Sequence, residues 1–569
     1  MKYNEARNNV AQKLGLPSKL LSYLFHRGID KFYKEIKIPK KSGGVREIMI
    51  PQQQLKATQK EILKMLRKVY FENNIETNFS HGFEKSKSII SNARVHKNKY
   101  FVLNLDLEDF FGSFHFGRIR GYFEKSKNFQ LSREEAAVLA NLVCYKGVLP
   151  QGASTSPIMT NMICHFLDLK LHNIAKKHRC RYTRYADDLT FSSNNIKTEE
   201  ESKQLIIDIE KQINKSGFKI NERKTRLQFR NSTQQVTGLI VNKKVNVSKT
   251  YYKTTRAMAN RLYRQGSFEI DGVEGTLNKL EGRFSFIDQL NFENNKNTTD
   301  VLNVQHGFSW NNKSDEMYAN MREKSYQEFL FYKYFYANEK PVILTEGKTD
   351  ITYLKAALKS MYKDYPNLIE KTDGEFKFSV EFIKRSRRFN YFFGYFEGAN
   401  GMKNIYNLFF RPPFKYYEKF DEKRHIKDQK PVFLIFDNEL NDSEKPIKKF
   451  INFSNINNQA NINLIQEQHY LNIDKNLYLV THQLMNGKNI MEIEDLFDKD
   501  VLNVRINNKS FNRDDDADRE ATFGKAIFAD YIAEHYKEIN FENFKPMLDI
   551  ITTISNKQKD EHKKKKKQR

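Results

Sequence analysis

The stretch Arg184-Tyr-Ala-Asp-Asp-Leu-Thr190 places two adjacent carboxylates, Asp187 and Asp188, between residues that favour β-strands. Upstream, the apolar run Phe101-Val-Leu-Asn-Leu-Asp106 also ends in a carboxylate. Because side chains alternate between the two faces of a strand, neighbouring aspartates can approach one cation only on a tight hairpin turn. With Asp106 on a neighbouring strand, the pattern predicts an oxygen-rich site suited to Mg²⁺. For the Asp-Asp pair alone, an ordinary surface turn is the alternative.

Two metal ions in such a site activate a 3′-hydroxyl and stabilise a leaving pyrophosphate, which is the chemistry of in-line nucleotidyl transfer. Four further blocks accompany these acids. The first is a basic hairpin at 38–48 with Lys40, Lys41 and Arg46, and the second is a Pro-Gln-Gly turn at 150–152, which precedes Ser156-Pro157 and an apolar helical run at 158–169. The third is Ser216–Asn221 followed by Lys224, and the fourth is a strand that contains a glycine, at 235–241. The basic hairpin predicts contacts with an incoming triphosphate. The helix start after the Pro-Gln-Gly turn exposes backbone against which a templating base and a nucleotide sugar can lie.

In their order, these blocks resemble motifs A to E of reverse transcriptases, over roughly residues 10 to 310. Retron reverse transcriptases are the most similar group. Asn92-Ala-Arg-Val-His96 is similar to their NAxxH signature, and Val236-Thr237-Gly238 is similar to their VTG signature.

The resemblance implies a role for each matching residue. Asp106, Asp187 and Asp188 bind the metals, and Phe111 is a steric gate against a ribose 2′-hydroxyl. The other implied roles are contacts with nucleotide or template for Arg46, Gln151, Gly152 and Lys224, and recognition of structured RNA for Asn92, His96, Val236, Thr237 and Gly238. For Asn92 and His96, a capping or core polar role is the alternative.

The bulk composition agrees with a nucleic-acid enzyme. The chain has 569 residues, a formal net charge of +26 and 13% aromatic residues, which predicts two or three domains and a polyphosphate partner. The three cysteines lack metal-ligand spacing, so neither a disulfide framework nor a zinc site is expected. Since the sequence shows neither an apolar signal segment nor a membrane span, we expect a cytoplasmic protein, and the resemblance to retron enzymes implies a bacterial one.

Residues 244–336 predict a mostly helical region. The segment Thr255–Arg264 is basic on one side and apolar on the other, which suits a polymerase thumb that grips a duplex. Leu277–Leu290 and Glu323–Phe335 are further helical candidates. A helical connector with a solvated basic face is the alternative.

A different pattern begins at Pro341. Pro341–Asp350 reads as a buried strand, a glycine turn and a helix start, and Pro431–Glu439 reads as a second buried strand that ends in acids. Strands that alternate with helices predict a parallel sheet, whose ligand site lies beyond the carboxyl ends of its strands. Glu346 and Asp437 are expected at that edge.

This half resembles the Toprim fold of topoisomerases, primases and OLD-type nucleases. Glu346-Gly347 matches the first hallmark, and Asp437-Asn-Glu439 stands where the family has Asp-x-Asp. The resemblance implies catalytic roles for Glu346 and Asp437, and a Mg²⁺ site formed by Glu346, Asp350, Asp437 and Glu439. The remaining matches are Phe396–Gly401 as an intermediate strand end, Asp442 as a substitute ligand, and 493–497 and Lys525 as later acidic and basic elements. A metal-free α/β interaction domain is the alternative.

We therefore expect an α/β multidomain chain: a right-hand polymerase of the reverse transcriptase type, then a Toprim domain with a mostly parallel sheet. The predicted domains are fingers and palm at 1–245, a helical thumb or connector at 246–336, a Toprim-like nuclease at 337–555, and a disordered basic tail at 556–569 that contains the lysine run 563–567. Some retron reverse transcriptases carry such a fusion.

By this resemblance the chain copies a structured non-coding RNA into branched, RNA-linked DNA (msDNA), and its nuclease acts in anti-phage defence. The implied partners are the cognate RNA, its msDNA product, deoxynucleotides and a host RNase H, with no membrane and with a homo-oligomer as one option. The alternatives are an abortive-infection, diversity-generating or mobile-element polymerase with an interaction domain, and a non-catalytic RNA-binding scaffold.

Overall fold

The structure is a computed structural model that describes residues 2–39, 43–295, 320–423, 429–514, 517–518 and 520–567, with the backbone alone for 295 and for 557–567. The chain divides into two compact units, Met1–Lys249 and Thr250–Arg569. Lys40 and Lys41 of the predicted triphosphate contacts lie outside the described residues.

The helices of the first unit are α1 (Lys2–Lys13), α2 (Ser18–Arg27), α3 (Gln53–Glu72), α4 (Ile89–Val95), α5 (Phe116–Lys125), α6 (Arg133–Val143), α7 (Ser156–Lys177) and α8 (Glu199–Lys215). Its strands are β1 (Tyr33–Pro39), β2 (Val45–Pro51), β3 (Phe101–Asp106), β4 (Arg181–Tyr185), β5 (Asp188–Ser193), β6 (Arg226–Phe229), β7 (Gln235–Val236) and β8 (Leu239–Ile240). Short 3-10 turns lie at Ile29–Phe32 and Glu222–Lys224.

An antiparallel sheet in the order β4-β5-β3-β6 forms the centre of this unit. The predicted acidic run is β3, and the predicted Asp-Asp hairpin is the turn between β4 and β5, so both predictions are confirmed. The buried side chains of β3 and β5, such as Leu103 and Phe191, join one continuous core with the surrounding helices.

Helix α7 supports the sheet from one side. It begins at Ser156 with Pro157 in its first turn, as the sequence predicts, because a proline there lacks only an N–H that the helix does not use. The helix continues eight residues beyond the predicted end at Leu169, to Lys177, because Leu171 and Ala175 extend its buried stripe.

Two short hairpins flank the sheet. β1 and β2 pair in antiparallel register and form the predicted basic hairpin. The predicted strand 235–241 is wrong: β7 and β8 are two strands of a tight hairpin, with Thr237 and Gly238 in the turn. Both turn residues have positive φ, 47° and 82°, so the glycine serves the turn rather than the close approach of another backbone.

A buried ion pair holds the Asp-Asp hairpin against α7. Arg184 of β4 is fully buried, and its Nε and Nη2 each donate a hydrogen bond of 2.8 Å to a different oxygen of Asp168. The hydroxyl of Tyr182 donates to the same carboxylate at 2.8 Å. Arg184 also donates from Nη1 to the carbonyl of Ala186 in the hairpin turn, at 3.3 Å. The guanidinium therefore links the helix, the strand and the turn.

The segment from Phe79 to Gly82 supports the hairpin from its outer edge. The amide of Arg184 donates to the carbonyl of Phe79 and the amide of His81 donates to the carbonyl of Arg184, both at 2.8 Å. The side chain of Asn161 on α7 donates to the carbonyl of Gly82 at 3.0 Å. These bonds fix the segment between β4 and α7.

The second unit begins with helices α9 (Lys249–Gln265), α10 (Leu277–Asn295) and α11 (Met321–Phe331), with β9 (Glu269–Ile270) and β10 (Val273–Glu274) as a hairpin and a π-helical turn at Tyr332–Tyr336. The three predicted helices are confirmed. However, the predicted boundary at 336/337 falls inside a continuous core, because Leu262, Phe284 and Tyr336 pack in one cluster with Leu344 and Leu434 of the following sheet.

The remaining strands of this unit are β11 (Val342–Thr345), β12 (Ile369–Thr372), β13 (Glu375–Phe378), β14 (Glu381–Phe382), β15 (Val432–Ile435), β16 (Tyr470–Asp474), β17 (Leu477–Val480), β18 (Arg505–Ile506), β19 (Lys509–Phe511) and β20 (Thr522–Phe523). The helices are α12 (Asp350–Ser360), α13 (Arg387–Phe393), α14 (Gly398–Phe410), α15 (Tyr416–Lys423), α16 (Pro446–Phe453), α17 (Gln459–Gln468), α18 (Lys499–Leu502), α19 (Lys525–Glu534) and α20 (Lys545–Lys567), with 3-10 turns at Ile493–Leu496 and Glu542–Phe544.

Five of these strands form a sheet in the order β14-β11-β15-β17-β16. Pairing is parallel throughout except at the edge between β17 and β16. All four residues of β11 and all four of β15 are buried, as the sequence predicts for central parallel strands. The carboxyl ends of β11 and β15 therefore lie side by side.

Two predictions for this unit are wrong. Phe396–Gly401 does not end a strand: helix α14 begins at Gly398, and β14 is the strand that pairs with the outer side of β11. The expected disordered tail is also not seen up to Lys567, because α20 continues to that residue from a buried first half that contains Leu548 and Ile551. Residues 568 and 569 lie outside the described residues.

Among the helices that the structure describes, none combines the length and the apolar character that crossing a bilayer requires.

The ion pair of Arg184 and Asp168 gives a stability prediction. Arg184→Met leaves the Asp168 carboxylate buried without its partner, and we expect the free energy of unfolding to fall by about 3–5 kcal/mol. Chemical denaturation followed by circular dichroism measures this loss. Arg184→Met/Asp168→Leu removes both charges and should recover part of it. Lys177→Met, which removes the 2.9 Å pair of an exposed lysine with Asp208, is the control and should have a much smaller effect. An equal loss in the two single variants would contradict the prediction.

Candidate functional sites

The three predicted polymerase aspartates converge at one end of the first sheet. Asp106 and Asp188 are direct partners in the register of β3 and β5, and Asp187 lies in the turn next to them. The carbonyl of Asp187 accepts a 3.1 Å hydrogen bond from the amide of Leu107. Ala186 takes positive φ (56°), which closes the turn within two residues.

Burial and repulsion from neighbouring carboxylates raise the pKa of Asp187 and of Asp188. The pKa of Asp188 is raised to about 6, chiefly by burial and then by the charges of Asp187 and Asp106. The pKa of Asp187 is raised by burial and by Asp106, while Lys224 and Arg46 oppose the shift. A concentration of carboxylates that destabilise one another's charge is a favourable site for a cation.

A cationic side chain already lies on this site. The ammonium of Lys224 is 2.8 Å from Oδ1 of Asp106, and the carboxylate raises the pKa of the lysine. The carboxylate oxygens of the three aspartates are the type of ligand that a divalent ion prefers, and the lysine contact shows that a positive charge is accommodated there. Lys224 comes from the turn after the predicted Ser216–Asn221 block, and the amide of Asn221 donates to the carbonyl of Asp106 at 2.8 Å.

The basic hairpin rests on the Pro-Gln-Gly turn. The amide of Met49 on β2 donates a 2.7 Å hydrogen bond to the carbonyl of Gln151. Gly152 has φ of 113°, and a Cβ at this position would lie 2.7 Å from the carbonyl oxygen of Met49, so only glycine fits. This contact holds the strand of Arg46, which is exposed and acts electrostatically on Asp187.

Phe111 lies beyond the end of β3 and is half-buried. Its ring packs edge-on against Phe110 at a centroid distance of 5.5 Å. The structure thus brings Lys224 into contact with Asp106 and Arg46 within electrostatic range of Asp187, while Gln151 is held against the strand that carries Arg46.

The residues expected to recognise RNA have a different environment. Asn92, His96 and Val236 are fully buried, so their side chains belong to the core in this conformation, which favours the alternative of core polar residues for Asn92 and His96. Nδ1 of His96 is 2.7 Å from the Ser192 hydroxyl. Its Nε2 is 2.7 Å from the Thr183 hydroxyl. Burial lowers the pKa of His96 to about 3, which keeps the ring neutral.

The NAxxH and VTG segments also contact each other. Helix α4 packs against β7 and β8, and the hydroxyl of Thr237 donates to the carbonyl of Ile89 at 3.3 Å. The Thr183 hydroxyl donates to Oδ1 of Asn92 at 2.5 Å. Because Thr183 and Ser192 lie on β4 and β5, this network supports the hairpin that carries the acid pair.

Sequence reasoning missed the residues that orient this hairpin, chiefly Arg184 and Asp168. A charged residue inside a strand of otherwise buried residues, and another inside the apolar run of α7, are the signals that can reveal such a pair. Because the two residues are 16 positions apart in the chain, no local sequence pattern links them.

A second acidic group lies at the carboxyl edge of the parallel sheet. Glu346 follows β11, and Asp437 and Glu439 follow β15; one carboxylate oxygen from each lies within 4.8 Å of the others. Among the described residues, the polymerase aspartates do not form a group this tight. The amide of Glu346 donates to the carbonyl of Ile435 at 3.0 Å, which aligns the two strand ends.

The electrostatics of this group also favour a cation. The pKa of Glu346 is raised to about 8 by burial first, then by Glu439 and Asp350. Burial and the neighbouring acids raise the pKa of Asp437 well above its ordinary range. Oε2 of Glu346 is buried and has no hydrogen-bond partner among the described residues. A buried, unpartnered carboxylate oxygen that faces other carboxylates fits a hard divalent cation.

Of the other predicted ligands, Asp350 and Glu439 lie at this site and Asp442 does not. Asp350 is buried beside it, accepts a 2.7 Å hydrogen bond from the amide of Gly347, and has a pKa raised by burial. Asp442 does not belong to the acidic group and instead accepts from the amide of Glu444. Glu439 is the acid that completes the group, with Lys445 at 2.7 Å as its counter-ion.

The later acidic and basic elements lie next to this group. The amide of Ile493 donates to Oδ1 of Asp437 at 2.8 Å. Lys525 forms ion pairs of 3.0 Å with Glu492 and 3.3 Å with the buried Glu494. An acidic cluster with a lysine beside it suits the chemistry of phosphodiester hydrolysis. Glu494 and Lys525 come from the segments that the sequence singled out, whereas Glu492 lies one residue before the predicted 493–497 element.

Arg385 is a residue of this site that the sequence analysis missed. Its guanidinium donates to the carbonyls of Gly347 at 2.9 Å and of Glu346 at 2.7 Å, and also to the carbonyl of Thr345. Its charged plane lies 4.3 Å from the ring centroid of Tyr395. It therefore fixes the turn that carries Glu346.

The family match to known proteins lies within the first unit. The family model described as reverse transcriptase (RNA-dependent DNA polymerase) matches residues 38–247. Among solved structures, apo telomerase from Candida Tropicalis truncated from the C-terminal domain aligns with 38% of this chain at 15% identity and a TM-score of 0.29, and the chain spans 55% of that protein. This structural likeness is too weak to support a functional inference.

Two curated relatives are more informative. The retron Ec86 reverse transcriptase of Escherichia coli is 36% identical over 234 residues, which are 41% of this chain and 70% of that protein. The retron Mx65 reverse transcriptase of Myxococcus xanthus is 32% identical over 303 residues, which are 50% of this chain and 68% of that protein. With the aspartates of β3 and of the β4–β5 turn in register, this similarity shows that the chain belongs to the retron reverse transcriptase family.

Proposed function

We propose that the first unit copies a folded non-coding RNA into DNA, with Asp106, Asp187 and Asp188 as the ligands of two divalent ions, generally Mg²⁺ in reverse transcriptases. The convergence of these three acids is the observation that carries the proposal. When bound, the ions neutralise charge on the reacting phosphate and favour deprotonation of the attacking hydroxyl.

The remaining groups orient the nucleotide. Arg46, on the hairpin that rests on Gln151, binds the triphosphate, and Gln151 and Gly152 contact the nucleotide and the template. Phe111 excludes a ribose 2′-hydroxyl. Lys224 exchanges its contact with Asp106 for one with the phosphates, because its side chain is 59% exposed and has room to move.

Asp187→Asn/Asp188→Asn tests the metal assignment. We expect primer extension on an RNA template to fall by at least about 10³-fold, because the amides remove the charge that holds the ions. Binding of the template RNA, measured by filter retention, should be unchanged. Glu210→Gln replaces an exposed acid on α8 and is the control. Residual extension near the wild-type rate would refute the assignment.

A second proposal for the first unit concerns the primer and the DNA product. We propose that the primer is a 2′-hydroxyl of the same RNA, which gives branched, RNA-linked msDNA. Membership of the retron family supports this, and it removes the abortive-infection and mobile-element alternatives for the polymerase half. A host RNase H then removes template RNA, and a homo-oligomer that holds msDNA is compatible with the proposal. Helix α9 is proposed to contact the duplex through Arg261 and Arg264, which are exposed near its carboxyl end.

Sequencing of the nucleic acid that co-purifies with the full chain tests the branched product. We expect a single-stranded DNA whose 5′ end is resistant to exonuclease until a debranching enzyme cleaves a 2′–5′ bond. Linear DNA with a free 5′ end would contradict the proposal. The Asp187→Asn/Asp188→Asn variant is the control and should yield RNA alone.

For the second unit, we propose a Toprim-type nuclease that uses Mg²⁺ and acts as an effector in anti-phage defence. Glu346, Asp437 and Glu439 are the proposed ligands, with Asp350 supporting the site. The observation that carries this proposal is the unpartnered oxygen of Glu346 within a group of three acids. A metal-free interaction domain would have no reason to bury mutually repelling carboxylates at a sheet edge.

Two cationic side chains set up the proposed hydrolysis. Lys525, held by Glu492 and Glu494, supplies positive charge near the scissile phosphate. Arg385 orients the Glu346 turn through backbone carbonyls, so the carboxylate needs little rearrangement on binding an ion. Release of this activity when msDNA is damaged is the proposed defence mechanism.

Glu346→Ala should abolish both DNA cleavage by the purified chain and toxicity upon expression, while primer extension stays at the wild-type rate. The reason is that one of three clustered ligands is lost, which typically removes most of the ion affinity. Asp442→Asn is the matched control, because Asp442 lies close in sequence but outside the acidic group. Toxicity that persists in Glu346→Ala would place the effector function elsewhere.

A further inference from the structure

A basic cavity lies within the second unit, and none of its lining residues belongs to either acidic group. Its volume is about 440 Å³, and its walls come from α9, α10, α11 and α15. This volume falls in the range of pockets that bind small molecules. Sequence analysis assigned α9 to the helical region and α15 to the nuclease region, so neither segment alone revealed the cavity.

The charges that line the cavity are strongly unbalanced. Lys253 and Arg256 come from α9, and Lys419 and Lys423 come from α15. Glu328 of α11 is the acidic residue among the lining side chains. Four cations against one carboxylate leave an excess of three positive charges. Such an excess at a concave surface attracts a multiply charged anion.

Among the lining cations that the structure describes, only the two lysines of α15 form ion pairs with a lining carboxylate. Glu328 lies 2.9 Å from the ammonium of Lys419 and 3.6 Å from that of Lys423. Within the described residues, Lys253 and Arg256 have no carboxylate partner, and both are exposed to the cavity mouth. Lys423 is only 27% exposed, so its charge is partly desolvated and gains from an anionic ligand.

A buried hydroxyl adds an independent indication of a ligand. Tyr263 lines the cavity and is 5% exposed, and its hydroxyl has no hydrogen-bond partner among the described residues. Its ring is fixed between Tyr332 and Phe420, each at a centroid distance of 4.9 Å. An unpaired buried hydroxyl is unfavourable, and a phosphate oxygen is a suitable acceptor for it.

We propose that this cavity binds the polyphosphate of a free nucleotide. Lys253, Arg256, Lys419 and Lys423 contact the phosphates, and the hydroxyl of Tyr263 donates to one of them. The apolar wall formed by Ala257 and Phe284 contacts the nucleoside. A compact polyanion fits better than a nucleic-acid strand, because the four cations of α9 and α15 converge on one cavity rather than following a groove.

Binding of ATP to the full chain tests the proposal. Calorimetry is performed at constant ionic strength in EDTA, which removes metal-dependent binding at the aspartates. We expect saturable binding by the wild type, and weakening by at least about tenfold in Lys253→Ala/Arg256→Ala, because two charge-assisted contacts are lost. Tyr263→Phe should weaken binding several-fold while leaving the thermal unfolding temperature unchanged or higher, since it removes only the unpaired hydroxyl.

Lys363→Ala/Arg505→Ala removes two exposed cations of the same unit that do not line the cavity, and its affinity should equal that of the wild type. Inorganic triphosphate should compete with ATP, because the contacts are to phosphate. Three results would overturn the proposal: no saturable ATP binding, equal affinity in all variants, or a single-stranded oligonucleotide that binds far more tightly than ATP through the same residues.

Discussion

The pairing of Arg184 with Asp168 is the constraint on which the polymerase site depends. A guanidinium with no exposed surface is tolerated only because it donates to a carboxylate, to the side-chain oxygens of Asn161 and Ser80, and to a turn carbonyl. Since the same side chain reaches the helix, the strand and the turn, the Asp187–Asp188 hairpin has little freedom to move. The neutral His96, at the end of α4, supports the hairpin through Thr183 on β4 and Ser192 on β5. Rigidity here matters because phosphoryl transfer depends on position more than on covalent chemistry.

The two acidic groups apply the same physics on different scaffolds. In the first unit, an antiparallel hairpin brings together acids from β3 and from the turn, and a lysine provides the counter-charge. In the second unit, the carboxyl ends of adjacent parallel strands do so, and Lys445 and Lys525 lie at the margin. In both, burial raises carboxylate pKa values, so the acids gain from a cation that replaces lost solvent. The two scaffolds also explain why one chain can hold two sites without sharing residues.

Local sequence patterns predicted what depends on neighbouring residues: the acid-terminated strands, the helix that begins at Ser156-Pro157 and the central parallel strands. They failed where tertiary packing decides. Asn92 and His96 read equally well as surface recognition residues or as core polar groups, and only the packing of α4 on β4 and β5 distinguishes these. Residues 235–241 look like one strand because the turn depends on two positive φ angles. Arg385 and Asp168 act through contacts with residues distant in the chain, which no local pattern encodes.

The uninterrupted core that joins α9–α11 to the parallel sheet has a mechanical consequence. Because close-packed interiors deform little, a push on one of these helices is carried to the strands behind it rather than absorbed locally. Leu262 and Phe284 on the helices and Leu344 on β11 belong to the same cluster, and β11 ends at Glu346. The helical segment is therefore mechanically continuous with the strand that precedes Glu346, so a load on these helices is transmitted to the second acidic group through the packed interior and not through solvent.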